Sequence, residues 1–108
     1  MATISRAQRD AVFRALADPT RREILRLLRD GRSTVGTLAG NFRQSRPAIS
    51  KHLRLLRSAG LVSARRQGTA RLCTLNATPL RAVDQWLREY EAFWGGTLRR
   101  LKKHLEEE

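Results

Sequence analysis

A single cysteine, Cys73, stands in the chain, so no disulfide can form within it, and a reducing cytoplasm is the expected compartment. No apolar run approaches the length of about 18 residues that a membrane-spanning helix needs. The opening MATISRAQRD has no apolar core of the kind a secretory signal carries, so none is expected. Internal repeats and low-complexity tracts are also missing. No Ser or Cys stands beside a His or carboxylate in a nucleophile–base pattern, no carboxylates are paired, and no glycine-rich phosphate loop occurs. The sequence therefore offers nothing on which an enzyme mechanism could be built. At 108 residues the chain suffices for one domain with a modest core.

Acidic residues are the most informative shortage. Ten Asp and Glu oppose 22 Lys and Arg, a formal net charge of +12. Met1 to Asp30 has a net charge of +3, and Pro79 to the C-terminus is neutral. Between them, Gly31 to Thr78 holds nine cations and no acid: Arg32, Arg43, Arg46, Lys51, Arg54, Arg57, Arg65, Arg66 and Arg71. Such a segment suits a polyanion, either nucleic acid or an anionic membrane surface. A uniformly basic surface would serve solubility alone, but charge concentrated in the middle segment points to a partner.

What is present resolves into short elements. Ser5-Arg6-Ala7-Gln8 has the form of a capping box and opens a helix to about Ala17, with Val12, Phe13 and Leu16 as its apolar stripe. Asp18 with Pro19 behind it starts a second helix, which carries Ile24, Leu25, Leu27 and Leu28 and stops before Gly31. Ser33 or Thr34 caps a short third helix ending near Asn41, and Ser45 caps a fourth that ends at Gly60. Ile49, Leu53 and Leu56 define the buried face of this fourth helix. Two strands, Leu61 to Arg66 and Ala70 to Leu75, flank Gln67-Gly68-Thr69 as a hairpin. From Thr78-Pro79 one helix is expected to run to the C-terminus. Its apolar residues Leu80, Val83, Leu87, Tyr90, Trp94, Leu98, Leu101 and Leu105 recur every three or four positions, with Trp86 and Phe93 alongside. Gly95-Gly96 interrupts the stripe without ending it.

The predicted fold is mainly α with a small β-hairpin, in the order α-α-α-α-β-β-α. A short helix, a tight turn, a longer basic helix and a hairpin form the order of a winged helix-turn-helix, whose second helix enters the major groove. A reading helix needs an apolar face toward its domain and small or hydrogen-bonding residues on the other. QSRPAISKHLRLLRSAGLV meets both demands. Gln44, Ser45, Arg46, Pro47, Ser50 and Lys51 are expected near base edges or phosphates at the helix start. Arg54 and Arg57 lie farther along as phosphate contacts. His52 is a structural hydrogen-bonder or a phosphate contact. Arg65, Arg66, Gln67 and Gly68 at the hairpin tip, with Arg71, form the expected wing.

FRALADPTRREILRLLRDG followed by SRPAISKHLRLLRSAGLVSARRQG resembles the ArsR/SmtB family of regulators, and the likeness spans nearly the whole chain. The aromatic and leucine-rich tail is similar to the family's non-metal, SdpR-like branch. The resemblance implies a bacterial, cytoplasmic, nucleoid-associated homodimer. Its first and last helices would form the seam, and its two reading helices would bind a palindromic operator in double-stranded DNA to repress transcription. Val12, Phe13, Leu80, Val83, Leu87, Tyr90, Trp94, Leu98 and Leu101 are the expected interface within residues 1–108, with 79–108 as the dimerisation helix.

Metal sensing, well represented in that family, is not expected here. The stretch where a C-x-C thiolate site would stand is Thr34-Val35-Gly36-Thr37-Leu38, and only Asp84 and His104 remain of a last-helix site. Cys73, His52 and His104 do not make up the three or four converging ligands a metal requires. No cofactor is expected, and Cys73 is expected as a small half-buried strand residue, with redox sensing the alternative. The apolar stripe of the last helix could serve as core, dimer seam or ligand pocket, and its width favours the seam. The alternative function is a non-specific architectural protein coating nucleic acid, and the sequence does not specify an inducer.

Overall fold

The computed structural model describes residues 4–107. Helices α1 (Arg6–Leu16) and α2 (Pro19–Asp30) come first, then strand β1 (Ser33–Thr34), and then helices α3 (Val35–Ala39) and α4 (Arg46–Ser58). Strands β2 (Val62–Gln67) and β3 (Ala70–Leu75) form the hairpin. A 3-10 turn (Thr78–Leu80) leads into α5 (Arg81–Arg88) and α6 (Glu91–Glu107).

The capping residues set the helix starts. Ser5, Asp18, Thr34 and Ser45 each accept a hydrogen bond from the backbone N–H three residues on, at 3.0–3.3 Å. Each satisfies one donor that has no partner inside its helix. The end of α4 is equally specific. Gly60, at φ +80°, donates to Arg57 O, and Leu61 N–H reaches back to Leu56 O. This is the paired bonding of a Schellman cap, which needs a left-handed residue at Gly60.

Besides the 3-10 turn at Thr78–Leu80, where the last helix is expected to begin, the structure departs from the expected elements in two places. Ser33 and Thr34 form a strand as well as a cap, pairing antiparallel with Cys73 and Leu72. The hairpin thereby becomes a three-stranded sheet in the order β1-β3-β2. The expected single C-terminal helix is divided at Glu89–Tyr90. There Glu89, Tyr90 and Phe93 donate to carbonyls three residues back, to Trp86, Leu87 and Tyr90. Such bonds tighten the chain into 3-10 geometry and interrupt the α-helical ladder. As expected, α6 continues through Gly95-Gly96.

One core joins the helices to the sheet. Val12, Ile24, Leu38, Ile49, Leu56 and Leu61 are all enclosed, and Cys73 faces them from β3. Each such aliphatic side chain contributes about 1.5–3 kcal/mol on burial. Ile49, Leu53 and Leu56 hold α4 down by one face, as their spacing predicts. That leaves the opposite face free.

Candidate nucleic-acid interface

The free face of α4 carries Arg46, Pro47, Lys51, Arg54 and Arg57, all exposed, with Ser50 half-buried beside them. Ser45 is exposed but its hydroxyl is occupied by the cap. Arg46 turns back over α3, so that a Cβ at Gly36 would lie 3.8 Å from its Nη1. Among the described residues none of the nine cations between Gly31 and Thr78 forms an ion pair, although Arg26, Arg29, Arg88 and Lys102 elsewhere in the chain do.

Polar side chains at the start of α2 tie it to the end of α1 and to α4 with the turn before it. Arg21 Nε donates to Ala15 O at 2.8 Å and its Nη2 to Arg14 O at 3.0 Å. Arg22 Nη1 donates to Leu16 O at 2.7 Å. These bonds satisfy the Ala15 and Leu16 carbonyls at the end of α1 and give Arg14 O, which already accepts from Ala17 N–H, a second donor. Arg21 Nη1 also lies 3.4 Å from His52 Nδ1, and His52 Nε2 lies 3.2 Å from Gln44 Oε1. Gln44 Nε2 in turn donates to Thr20 Oγ1 at 2.8 Å. The backbone N–H of Arg21 holds the Asp18 carboxyl below the usual carboxylate range, aided by the charges of His52 and Arg21 against the opposing effect of burial. His52 thus has a polar partner within the protein at each ring nitrogen. Gln44, itself exposed, joins the same network from the surface. Thr20 and Arg21 had no assigned role, because their partners lie 24 and 31 residues away, beyond any local pattern.

The hairpin closes on Gly68-Thr69, flanked by the pair Gln67↔Ala70. Gly68 has φ +63°, and among the described residues no non-glycine has positive φ. A positive φ at the first loop position alone defines a type II′ turn, whose twist matches that of the strands. Arg65, Arg66, Gln67, Gly68 and Arg71 are all exposed around this tip. Arg66 and Arg71 stand directly opposite each other across the strands, an arrangement that like charges make unfavourable.

The expected dimer residues divide into two groups. Leu87, Tyr90, Trp94 and Leu101 are exposed, with Trp86, Phe93 and Leu105 exposed alongside them. Phe13 is half-buried under Trp86, their ring centroids 5.5 Å apart, and Trp86 meets Tyr90 at 5.2 Å. Leu80 and Val83 are half-buried against the core. Val12 does not belong with the others. It is fully enclosed within its own protomer, because its turn of α1 faces α2 and α4, and it offers no surface to a partner. The side chain of Leu98 lies outside the described residues. Cys73 is more deeply buried than expected, at 1% exposure, and burial pushes its thiol pKa up against the fields of Arg71 and Arg57. The protonated thiol it favours is a poor nucleophile.

A helix–turn–helix with a basic outer face, followed by an arginine-edged antiparallel hairpin, is a winged helix-turn-helix DNA-binding domain. Residues 18–64 match the family model described as bacterial regulatory protein, arsR family. The transcriptional repressor SdpR of Bacillus subtilis is 42% identical over 79 residues, 73% of this chain and 88% of the repressor. A crystal structure of an ArsR family transcriptional regulator superimposes with a TM-score of 0.77 at 38% identity, over 88% of this chain and 97% of that one. The homodimeric winged helix-turn-helix DNA-binding domain of Mycobacterium bovis Mb0332, a possible ArsR-family transcriptional regulator, has a TM-score of 0.64 at 31% identity, over 83% and 92% of the two chains. The chain belongs to the arsR family of bacterial regulatory proteins, a family of DNA-binding transcriptional regulators rather than enzymes.

Proposed function

We propose that the protein is a homodimeric repressor that binds a palindromic operator and uses no metal switch. The observation that carries this reading is the unpaired state of the nine central cations among the described residues. Cations left without internal partners on α4 and the hairpin suit a polyanion that supplies the partners itself. Arg46, Ser50 and Lys51 reach base edges, Arg54 and Arg57 reach phosphates, and Arg65, Arg66 and Arg71 follow the backbone beside the major groove. The exposed aromatic and leucine face of α5 and α6 forms the seam with a second copy, with Phe13 beneath it. Two reading helices related by that seam's two-fold axis match a palindrome. In this reading the regulator acts in the cytoplasm. The small and polar residues Ser45, Pro47 and Ser50 argue against a coating protein, for which lysines alone would suffice.

Selection of genomic fragments by the purified protein supplies the test. A symmetric consensus is expected. The selected duplex should bind far more tightly than a scrambled one, with log K falling against log salt by about 0.9 for each phosphate neutralised. Equal binding of the two duplexes at physiological salt would make the protein architectural instead.

A further inference from the structure

We infer that Gln44, His52 and Thr20 form a positioning relay, in which His52 sets operator affinity by holding the turn ahead of α4 through Gln44 rather than by touching DNA. The inference rests on the reading of α4 as the DNA-contacting helix.

Hydrogen-bond chemistry fixes the direction of the relay. A guanidinium only donates, so we assign His52 Nδ1, 3.4 Å from Arg21 Nη1 and with Asp18 Oδ2 beyond hydrogen-bond reach at 3.8 Å, as the acceptor. The ring proton therefore sits on Nε2 and is donated to Gln44 Oε1 at 3.2 Å. With its oxygen accepting, the Gln44 amide has its nitrogen free to donate, and it does so to Thr20 Oγ1 at 2.8 Å. Each group has one consistent role. The Arg21 contact is longer than a good N–H hydrogen bond, whereas the Gln44–Thr20 contact is short. The firm part of the chain runs from α4 through Gln44 to α2.

Besides the Ser45 cap and the packing of Phe42 on the core, the turn has few main-chain bonds. Phe42 N–H bonds to Ala39 O, and the next donated main-chain bond is that of Ile49 N–H to Ser45 O. Arg43, Gln44 and Ser45 lie between them, immediately before Arg46 and Pro47. A reading glutamine makes a two-point contact with adenine through both ends of its amide. Each end of the Gln44 amide already carries one hydrogen bond within the protein, which sets its orientation. Side chains that contact bases must be held to within about half an ångström by the groups behind them, and at the N-terminus of α4 this relay provides that support.

Two substitutions separate the halves of the imidazole. Glutamine at position 52 places an amide nitrogen near the site of Nε2 and can still donate to Gln44. Asparagine is shorter, reproduces the Nδ1 side and loses Gln44. The measurement is the affinity of each variant for the selected duplex and for a scrambled one, at fixed salt and below every variant's melting transition. His52→Gln should bind the selected duplex within about twofold of wild type. His52→Asn, Gln44→Ala and Thr20→Val should each lose about three- to tenfold, the worth of one hydrogen bond. Affinity for the scrambled duplex should not change. His52→Asn combined with Gln44→Ala should lose no more than either alone, because both break one link.

Wild-type affinity for His52→Asn, equal losses for His52→Gln and His52→Asn, or multiplied losses in the double variant would each overturn the relay. If wild type itself fails to distinguish the two duplexes, the repressor reading fails, and the relay is judged from the imidazole nitrogen shifts of the free protein. Those shifts must report the Nε2–H tautomer. The Nδ1–H form would overturn the relay.

Discussion

Asp18 closes the N-terminus of α2, and its Oδ2 stands 3.8 Å from His52 Nδ1 on the reading helix. The hydrogen bond from Arg21 N–H, and the positive charges beside it, depress its folded pKa below 3.8. A carboxyl depressed in this way stabilises the fold above its unfolded pKa, and that contribution is lost as pH falls through the lower folded value. Asparagine caps a helix about as well as aspartate but carries no charge. Asp18→Asn is therefore expected to be less stable than wild type near neutral pH. The difference should shrink as pH drops below about 4 and vanish once the wild-type carboxyl is protonated. Asp18→Ala should cost about 1 kcal/mol through loss of the cap. Urea unfolding at several pH values and one protomer concentration checks both expectations. A wild-type advantage over Asp18→Asn that stays constant down to low pH would show that charge has no part in it.

At the scale of elements, the hairpin makes a prediction in which stability and binding move in opposite directions. Arg66 and Arg71 face each other across β2 and β3, and like charges so placed destabilise a strand pair by a few tenths of a kcal/mol. Arg66→Thr removes the repulsion and adds a good strand former. The free protein should melt slightly higher. DNA binding should weaken about equally for all sequences, and the salt slope should fall by about 1. Calorimetry and a salt titration measure the two effects, and a stabilised variant with undiminished affinity would remove the hairpin from the interface. The hairpin was legible in the sequence because alternation and Gly68 mark its ends, and the helix starts were legible because each cap is a local signal. Strand β1 was not, since Ser33-Thr34 has no pattern of its own and becomes a strand only by pairing with β3. The division at Glu89–Tyr90 was equally hidden. Leu87, Tyr90 and Trp94 keep helical spacing through it, and an apolar period cannot distinguish α from 3-10 bonding over a single turn. Val12 was misplaced for a related reason. Periodicity shows that one face of α1 is apolar without showing whether the protomer's core or a partner covers it. The exposed residues of α4 were readable from its apolar face, whereas the bonding of Gln44 depends on contacts distant in sequence.

The whole molecule is too extended for a chain that buries its apolar surface alone. Its radius of gyration is 17.2 Å, against about 13 Å for a compact domain of this length. The excess lies in α6, where every described side chain is exposed. Among the described residues eight large hydrophobics are exposed, and of these only Leu55 lies outside α5, α6 and the turn between them. An apolar arm of this kind is stable in water when a second copy covers it. Trp94, Leu101 and Leu105 recur at coiled-coil spacing, whereas Phe93, the most exposed at 83%, falls off that stripe. The two positions therefore predict different outcomes. Leu101→Asp should convert the dimer to a monomer in sedimentation equilibrium while the α1–α4 core keeps its helical signal. Its affinity for the palindrome should fall at least tenfold, because each half-site must then be bound without help from the other. Phe93→Ser should remain dimeric and bind as wild type does. Dissociation by Phe93→Ser with Leu101→Asp still dimeric would place the seam on the other face of α6. That geometry would turn the second reading helix and change the half-site spacing of the operator.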